Sequence, residues 1–183
     1  MKSWLIFAFL LFCSTVVVAQ DFRGENRVFI KFETIADGML EFESSKFTIE
    51  LNEEQNQFTF FVDLQTFKPV DNSATMTLFN DVFQEEFHSD ITYKADFTTL
   101  KFDVQTDRPQ QVDMNGTLWM GTTKVDLPFK VEMEMMDRFL FLDFDLVTQL
   151  SKLGIEIPDP YKKKLSGKIH LQVLNGKLTE GFR

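Results

Sequence analysis

The sequence predicts an all-β protein of about eight antiparallel strands with one short helical segment. Three observations carry that expectation. Apolar and polar residues alternate with a period of two over most of the chain from Asn26 onward. The alternating stretches are joined mostly by short polar turns, which make neighbouring strands antiparallel. Phenylalanine stands at 22 of 183 positions against 2 Trp and 2 Tyr, which brings large apolar area without a polar handle. Eight such strands close as a barrel or pack as a sandwich, and the alternation alone does not separate the two.

Residues 1–20 are expected to be a signal peptide and not part of the fold. Lys2 supplies a short positive start, residues 4–12 are a continuous apolar run, and Val17 and Ala19 fit a cleavage site after Ala19 or Gln20. The competing reading is a membrane anchor; the run is short for a bilayer span and polar sequence follows at once. Phe12 precedes the lone Cys13, where lipid attachment calls for a small residue. Residues 21–183 then form one domain, with no linker, repeat or low-complexity tract. Loss of Lys2 takes the side-chain charge from −9 to −10, and the mature chain keeps no cysteine. The expected localisation is exported, periplasmic or secreted, with stability from packing and no disulfide.

The strands follow in order. Val28, Ile30 and Phe32 share one face, then Leu40 and Phe42. After Ser44-Ser45 the parity shifts and Phe47, Ile49 and Leu51 carry the apolar face, as a bulge or bend would produce. Phe58, Phe60, Val62 and Leu64 come next, with Phe61 on the other side. Residues 73–87 space their apolar side chains closer to 3.6 than to 2, which predicts a short helix and loop. Ile91, Tyr93, Ala95 and Phe97 form a strand, with Leu100, Phe102 and Val104 as a continuation past a second switch. Val112 to Met120 reads as one strand, and Val125 to Met135 gives the longest unbroken alternation. Leu140, Leu142, Phe144 and Leu146 precede a helical turn at residues 148–153 stopped by Gly154. The last strand carries Leu165, Gly167, Ile169, Leu171 and Val173.

Composition and motifs exclude several chemistries. An acidic chain without a basic stripe has no nucleic-acid footprint. Without cysteine in the mature chain there is no thiol catalysis or Cys-based zinc site, and nucleophile-elbow, phosphate-loop and zincin motifs are absent. His88 and His170 fall on separate elements, His88 as a structural residue at a loop junction and His170 on a polar, solvated face. Asp143 and Asp145, near Asp137, read as outward acids and not as a catalytic pair. Lys162-Lys163-Lys164, with Lys168 and Lys177, is the one basic cluster; it reads as a solvated edge, with an anionic headgroup or membrane surface as the functional alternative. No catalytic residue, metal or cofactor is expected.

Several segments together carry a family resemblance. The stretch Asn115-Gly116-Thr117-Leu118-Trp119-Met120-Gly121-Thr122-Thr123-Lys124-Val125-Asp126-Leu127-Pro128 is similar to the YceI-like pattern of Gly, a Leu two residues on, then Gly-x-Thr-Lys before an alternating strand. Asn26-Arg27-Val28-Phe29-Ile30-Lys31-Phe32 resembles that family's first strand. Thr77-Leu78-Phe79-Asn80-Asp81-Val82-Phe83 with Asp90-Ile91-Thr92-Tyr93-Lys94 resembles its helix-and-strand section, and Leu153-Gly154-Ile155 with Ile157-Pro158 the stretch before its last strand. The family's His before Leu, its double Phe before Asp and its Tyr-Pro are replaced here. The resemblance implies an eight-stranded antiparallel lipocalin-like β-barrel with a short helical cover. It also implies an exported soluble protein that sequesters or carries an elongated amphiphilic lipid: a polyisoprenoid, a quinone-like molecule or a fatty-acid derivative.

Such a tail needs a long apolar lining with polar groups only at its mouth. The inward-facing positions supply a candidate set: Ile30, Phe32, Phe42, Phe60, Tyr93, Phe102, Met120, Phe129, Met133 and Phe144. Tyr93 is the one of these with a hydroxyl to meet a headgroup. The alternative is a barrel filled by its own Phe side chains, a structural or interaction module with no ligand, for which outward Phe29, Phe61 and Trp119 are the partner-facing candidates. An enzyme acting on a lipid inside the barrel ranks last, for want of a nucleophile–base pair.

Overall fold

The computed structural model describes residues 26–52, 55, 57–83, 90–96, 101–103, 105–106, 108–137 and 139–178. The expected signal peptide with Cys13, the Phe87-His88 junction, and Phe97, Leu100 and Val104 lie outside the described residues. Eleven strand segments are present: β1 (Asn26–Thr34), β2 (Met39–Asn52), β3 (Gln57–Asp63), a short β4 (Lys68–Pro69), β5 (Asp90–Asp96), β6 (Gln110–Met114), β7 (Gly116–Met120), β8 (Thr123–Asp126), β9 (Phe129–Met136), β10 (Phe139–Gln149) and β11 (Leu165–Lys177). Among the described residues one α-helix, α1 (Met76–Phe83), lies between β4 and β5.

The pairings run in a ring. From β1 they pass through β2, β3, β5 and β7 to β8, whose chain continues into β9, and β9 leads through β10 and β11 back to β1. Every pairing is antiparallel. β6 and β7 are two halves of one extended run broken at Asn115, and β8 and β9 are two halves of another broken at Leu127-Pro128. Together they form a bent hairpin, with Met120 opposite Thr123 and Gln110 opposite Met133. Counting each run once gives eight long strands, so the ring is a barrel and not a sandwich. The sequence expectation of unbroken strands at Val112–Met120 and Val125–Met135 is corrected at those two points. Side-chain parity continues through both breaks, so alternation does not reveal them. Pro128 lacks the N–H a ladder needs.

Elsewhere the parity reading describes the sheet well. The switch in β2 is a bulge: Asn26 pairs with Phe47 and Val28 with Ser44, so one strand advances two residues while the other advances three. Ser44 is turned inward there and its hydroxyl is satisfied by Thr66 Oγ1 at 2.6 Å and by the Lys46 N–H at 3.1 Å. A second bulge lies in β11 opposite Leu142 and Phe144. Asn175 has a positive φ of 52° in it, and its N–H donates to the Asp143 carboxylate. Asp143 therefore pins a bend as well as facing water. Phe102 was expected on a strand; it lies in an irregular stretch and is only partly buried.

The helical expectations hold in shortened form. Helix α1 buries Leu78, Phe79, Val82 and Phe83 on one face, and its first turn is capped by Thr75, whose Oγ1 accepts the Leu78 N–H at 3.3 Å. The expected turn at 148–153 is a 3-10 turn over Leu150–Leu153 that ends at Gly154 with φ 75°, a left-handed conformation that favours glycine. Thr148 and Gln149 remain in β10.

The polar surface differs from expectation in two places. His170 is not a solvated side chain: it is half-buried, and its Nδ1 sits 3.1 Å from the Asp145 carboxylate while Nε2 is covered without a partner. The expected basic cluster is divided. Lys162–164 follow the 3-10 turn Asp159–Tyr161 at the start of β11, whereas Lys177 lies at its far end, 3.5 Å from the Phe139 ring centre. Lys168 pairs with Glu33 and Lys162 with Asp159; these are exposed pairs worth little.

Candidate functional site

The interior is organised in three layers along the barrel axis. At the end covered by α1, Phe79 of the helix packs with Phe42 at 4.7 Å between ring centres, Phe83 at 4.7 Å, Phe67 at 5.5 Å and Phe32 at 6.2 Å. Further along stands a second aromatic group, in which Phe60 stacks on Tyr93 at 5.8 Å and on Phe144 at 5.5 Å. Phe129 contacts Tyr93 and Phe144, each at 5.0 Å, and Phe47 lies 5.9 Å from Phe60. Beyond this group the far end is solid core: Val28, Ile49, Phe58, Met114, Val131, Met133, Leu140 and Val173 are fully buried. A methyl added at Gly176 there would meet Val173, Ile49 and Leu142 within 3.2 Å.

Between the two aromatic groups runs an apolar seam of two adjoining voids. The one nearer the helix is lined by Ile30, Phe83, Met120, Thr148, Leu153 and Ile169. The one nearer the far end is lined by Phe47, Phe60, Val62, Tyr93, Phe129 and Phe144. Ile91, Leu118, Leu146 and Leu171 belong to both walls. The interstitial space is about 350 Å³ in the first and about 290 Å³ in the second. Room for a water-sized sphere amounts to about 20 Å³ and about 10 Å³, enough for one or two waters that would find almost no polar partner. The seam is a pair of small apolar voids, and an occupant wider than a water displaces side chains.

Six of the ten sequence-predicted residues stand in these walls: Ile30, Phe60, Tyr93, Met120, Phe129 and Phe144. Phe32 and Phe42 belong to the aromatic group under the helix. Met133 is buried in the solid far end, away from the seam, and Phe102 stands in neither wall. Sequence reasoning placed Ile91, Leu118, Leu146, Leu171 and Phe83 on apolar faces without assigning them to a site. Aliphatic residues on an inward strand face read as ordinary core.

Tyr93 has a different role from the one its hydroxyl suggested. It is 2% exposed, and its hydroxyl donates to the backbone carbonyl of Leu127 at 3.0 Å, with the Met114 carbonyl at 3.4 Å. Those carbonyls flank the two breaks of the bent hairpin. The hydroxyl is thus committed to holding the bend and not offered to a headgroup. Burial, with the Asp126 charge as a smaller contribution, pushes its ionisation well above the usual phenol range.

Tyr93→Phe is therefore expected to cost about 1–2 kcal/mol, since the Leu127 carbonyl loses its buried donor. A folded-state pKa above the unfolded one gives stability that is complete below the unfolded value, near 10, and is lost as pH rises above it. Wild type should lose stability above about pH 10 and the Phe variant should lack that part of the alkaline decline. Parallel pH titrations of the urea midpoint for both proteins check this; identical alkaline slopes would refute it.

The chemistry available in the seam is burial and packing. Among the described residues no group of three or more His, Cys, Asp or Glu is placed to hold a metal ion. Among the same residues no helix is long and apolar enough to cross a membrane, which says nothing of spanning by strands.

No family model matches the sequence, and no curated protein does. Solved structures do match in fold. A polyisoprenoid binding domain from Saccharophagus degradans implicated in plant cell wall breakdown superposes with a TM-score of 0.64 at 8% identity, over 81% of this chain and 90% of that one. BcnA of Burkholderia cenocepacia gives 0.60 at 10% identity, over 80% and 93%. A mutant CJ YceI protein gives 0.47 at 14% identity, over 73% and 81%. The likeness is one of fold: an antiparallel β-barrel, as the sequence resemblance implied.

Proposed function

We propose that this chain is an exported binding protein that holds the tail of an elongated amphiphilic lipid in the barrel interior, and that it performs no reaction on it. The observation that carries the reading is the seam. Two small voids adjoin along the barrel axis with almost wholly apolar walls, so a tail entering there breaks no polar contact. An isoprenoid or acyl tail has no hydrogen-bonding groups along its length and matches such walls. Burial of its surface at about 25 cal/mol per Å² supplies the affinity. Met120 and the leucines lining the seam can change rotamer to widen it. The fold shared with a polyisoprenoid binding domain supports the same class of ligand, and the apolar run at residues 4–12 supports export.

The small free volume favours a second reading, in which the aromatic side chains fill the barrel and the outer surface is the functional one. Phe61 is 37% exposed and Trp119 lies between Lys94 and Lys124 on the same outer face. Native mass spectrometry of the protein purified from its own host, followed by solvent extraction, separates the two. A stoichiometric adduct of defined mass is the expected result. A clean apo mass, unchanged after incubation with isoprenoid alcohols and long-chain fatty acids, would overturn the lipid reading in favour of the filled barrel.

A further inference from the structure

Resting on that reading, we infer that the seam is loaded from the end covered by helix α1, and that the aromatic group around Tyr93 is a fixed floor that sets how long a tail the barrel accepts. The two ends of the seam are built differently. The Tyr93 group is held from four directions. Phe60, Phe129 and Phe144 pack on or against one another and come from β3, β9 and β10. Tyr93 is locked by its hydrogen bond to Leu127 at the hairpin bend. Behind them Val28, Ile49, Phe58 and Val131 are fully buried, and a methyl at Gly176 would meet Val173, Ile49 and Leu142 within 3.2 Å. A tail reaching this floor stops, because going further means displacing side chains that have nowhere to move.

The helix end is braced by side-chain packing, through Phe79 on Phe32, Phe42 and Phe67, and not by strand ladders. Phe83, which lines the seam there, comes from α1, and Leu153 beside it in the wall from a 3-10 turn; neither is on a strand. Helix α1 is two turns long and joins no sheet ladder. Among the described residues its polar tie to the barrel body is the hydrogen bond from the Tyr161 hydroxyl to Asp81 Oδ2 at 2.7 Å. That tie is at the surface, and it comes from the same 3-10 turn that is followed by Lys162, Lys163 and Lys164. A short amphipathic helix held by apolar contacts and one exposed hydrogen bond is the part of this wall with the lowest cost of opening. Lys163 and Lys164 place positive charge at this end, beside the Lys162–Asp159 pair and next to where an anionic headgroup would remain when the tail is inside. Tail-first entry past Phe83, with the end methyl against Phe60, Phe129 and Phe144, follows from this asymmetry.

The test is a chain-length profile. Saturated fatty acids from decanoic to eicosanoic acid compete with a fluorescent polyene fatty acid, in wild type and in three variants. Phe129→Ala lowers the floor and is expected to move the preferred length several carbons upward. Phe144→Leu, a milder change at the same floor, should move it in the same direction and serves if Phe129→Ala does not fold. Tyr161→Phe cuts the tie and is expected to leave the preferred length unchanged while speeding uptake about 2- to 10-fold, the weight of one exposed hydrogen bond. Asp81→Ala, which removes the other half of the same tie and lines neither void, should also leave the preferred length unchanged. An unmoved optimum in both floor variants, or a shift in Asp81→Ala instead, would overturn the assignment of the floor. Unaltered uptake in Tyr161→Phe would overturn the helix end as the entrance. Failure of wild type to bind any member of the series or the polyene probe would overturn the lipid reading itself, a result distinct from either of these.

Discussion

Gly116→Ala is expected to destabilise the protein by about 3 kcal/mol or more, a large share of the usual margin of a single domain. The reason is steric. A Cβ at this position would sit 2.3 Å from the Lys94 carbonyl oxygen, 2.5 Å from Cζ of Tyr93 and 2.6 Å from its hydroxyl oxygen. A flexible side-chain end could swing away, but none of these atoms is one. Lys94 belongs to β5, which is paired on one side with β3 and on the other with β7. Tyr93 is stacked on Phe60 and bonded to Leu127. Gly116 itself accepts the Leu127 N–H at 3.0 Å, so it cannot withdraw without opening the hairpin bend. The clash forces apart the one place where two strand breaks, a buried phenol and three strands meet. Urea denaturation checks it: a fall in midpoint of this size at unchanged slope is expected. Gly38→Ala, in an exposed turn where the nearest atom is the Thr34 hydroxyl at 3.1 Å, should stay within about 1 kcal/mol of wild type. A Gly116→Ala protein as stable as the Gly38→Ala one would show that the bend tolerates a shift that its hydrogen bonds argue against.

Gly116 also shows what the sequence could and could not say. Its place on an alternating inward face was legible, and so was nearly every buried position on the strands, because one solvated face imposes a strict period of two. The parity switch at Ser44-Ser45 was legible for the same reason: a bulge is the way a strand moves its apolar set from odd to even positions. The breaks at Asn115 and Leu127-Pro128 were not. There each run keeps its hairpin partner and gains a second neighbour, β5 beside β7 in one case and β10 beside β9 in the other, while its side chains keep their alternation. Pairing partners are a property of the closed ring and leave no trace in the period. Tyr93 was misread for a related reason. Its hydroxyl looked free for a ligand because the carbonyls that take it, at residues 114 and 127, are not near it in the chain. The seam was half legible. Phe and Met drew the candidate list because they stand out in composition, but the shared wall of the two voids is Ile91, Leu118, Leu146 and Leu171, and nothing marks an aliphatic side chain that faces a gap from one that faces a neighbour.

Phe79→Ala is expected to cost about 3–5 kcal/mol, the largest loss available from a single side chain of α1. Phe79 is fully buried and packs against the rings of Phe32, Phe42, Phe67 and Phe83. These come from β1, from β2, from the segment just before β4, and from the helix itself. Removing the ring deletes the common neighbour of all four, and the sheet positions of Phe32 and Phe42 are fixed by their ladders, so the space cannot close by collapse. Aromatic contacts worth about 0.5–1.5 kcal/mol each beyond burial are lost with it. The size of the loss bears directly on the helix as a moving part. A helix that opens to admit a tail must still return, and the Phe79 contacts are what brings it back. Hydrogen exchange of the α1 amides reports that return separately from global stability. In Phe79→Ala the α1 amides should lose protection by more than the urea midpoint predicts, since the helix loses its anchor while the ring of strands keeps its ladders. Equal losses in α1 and in β10 would mean that the helix never opens apart from the barrel, and that the covered end is as fixed as the floor.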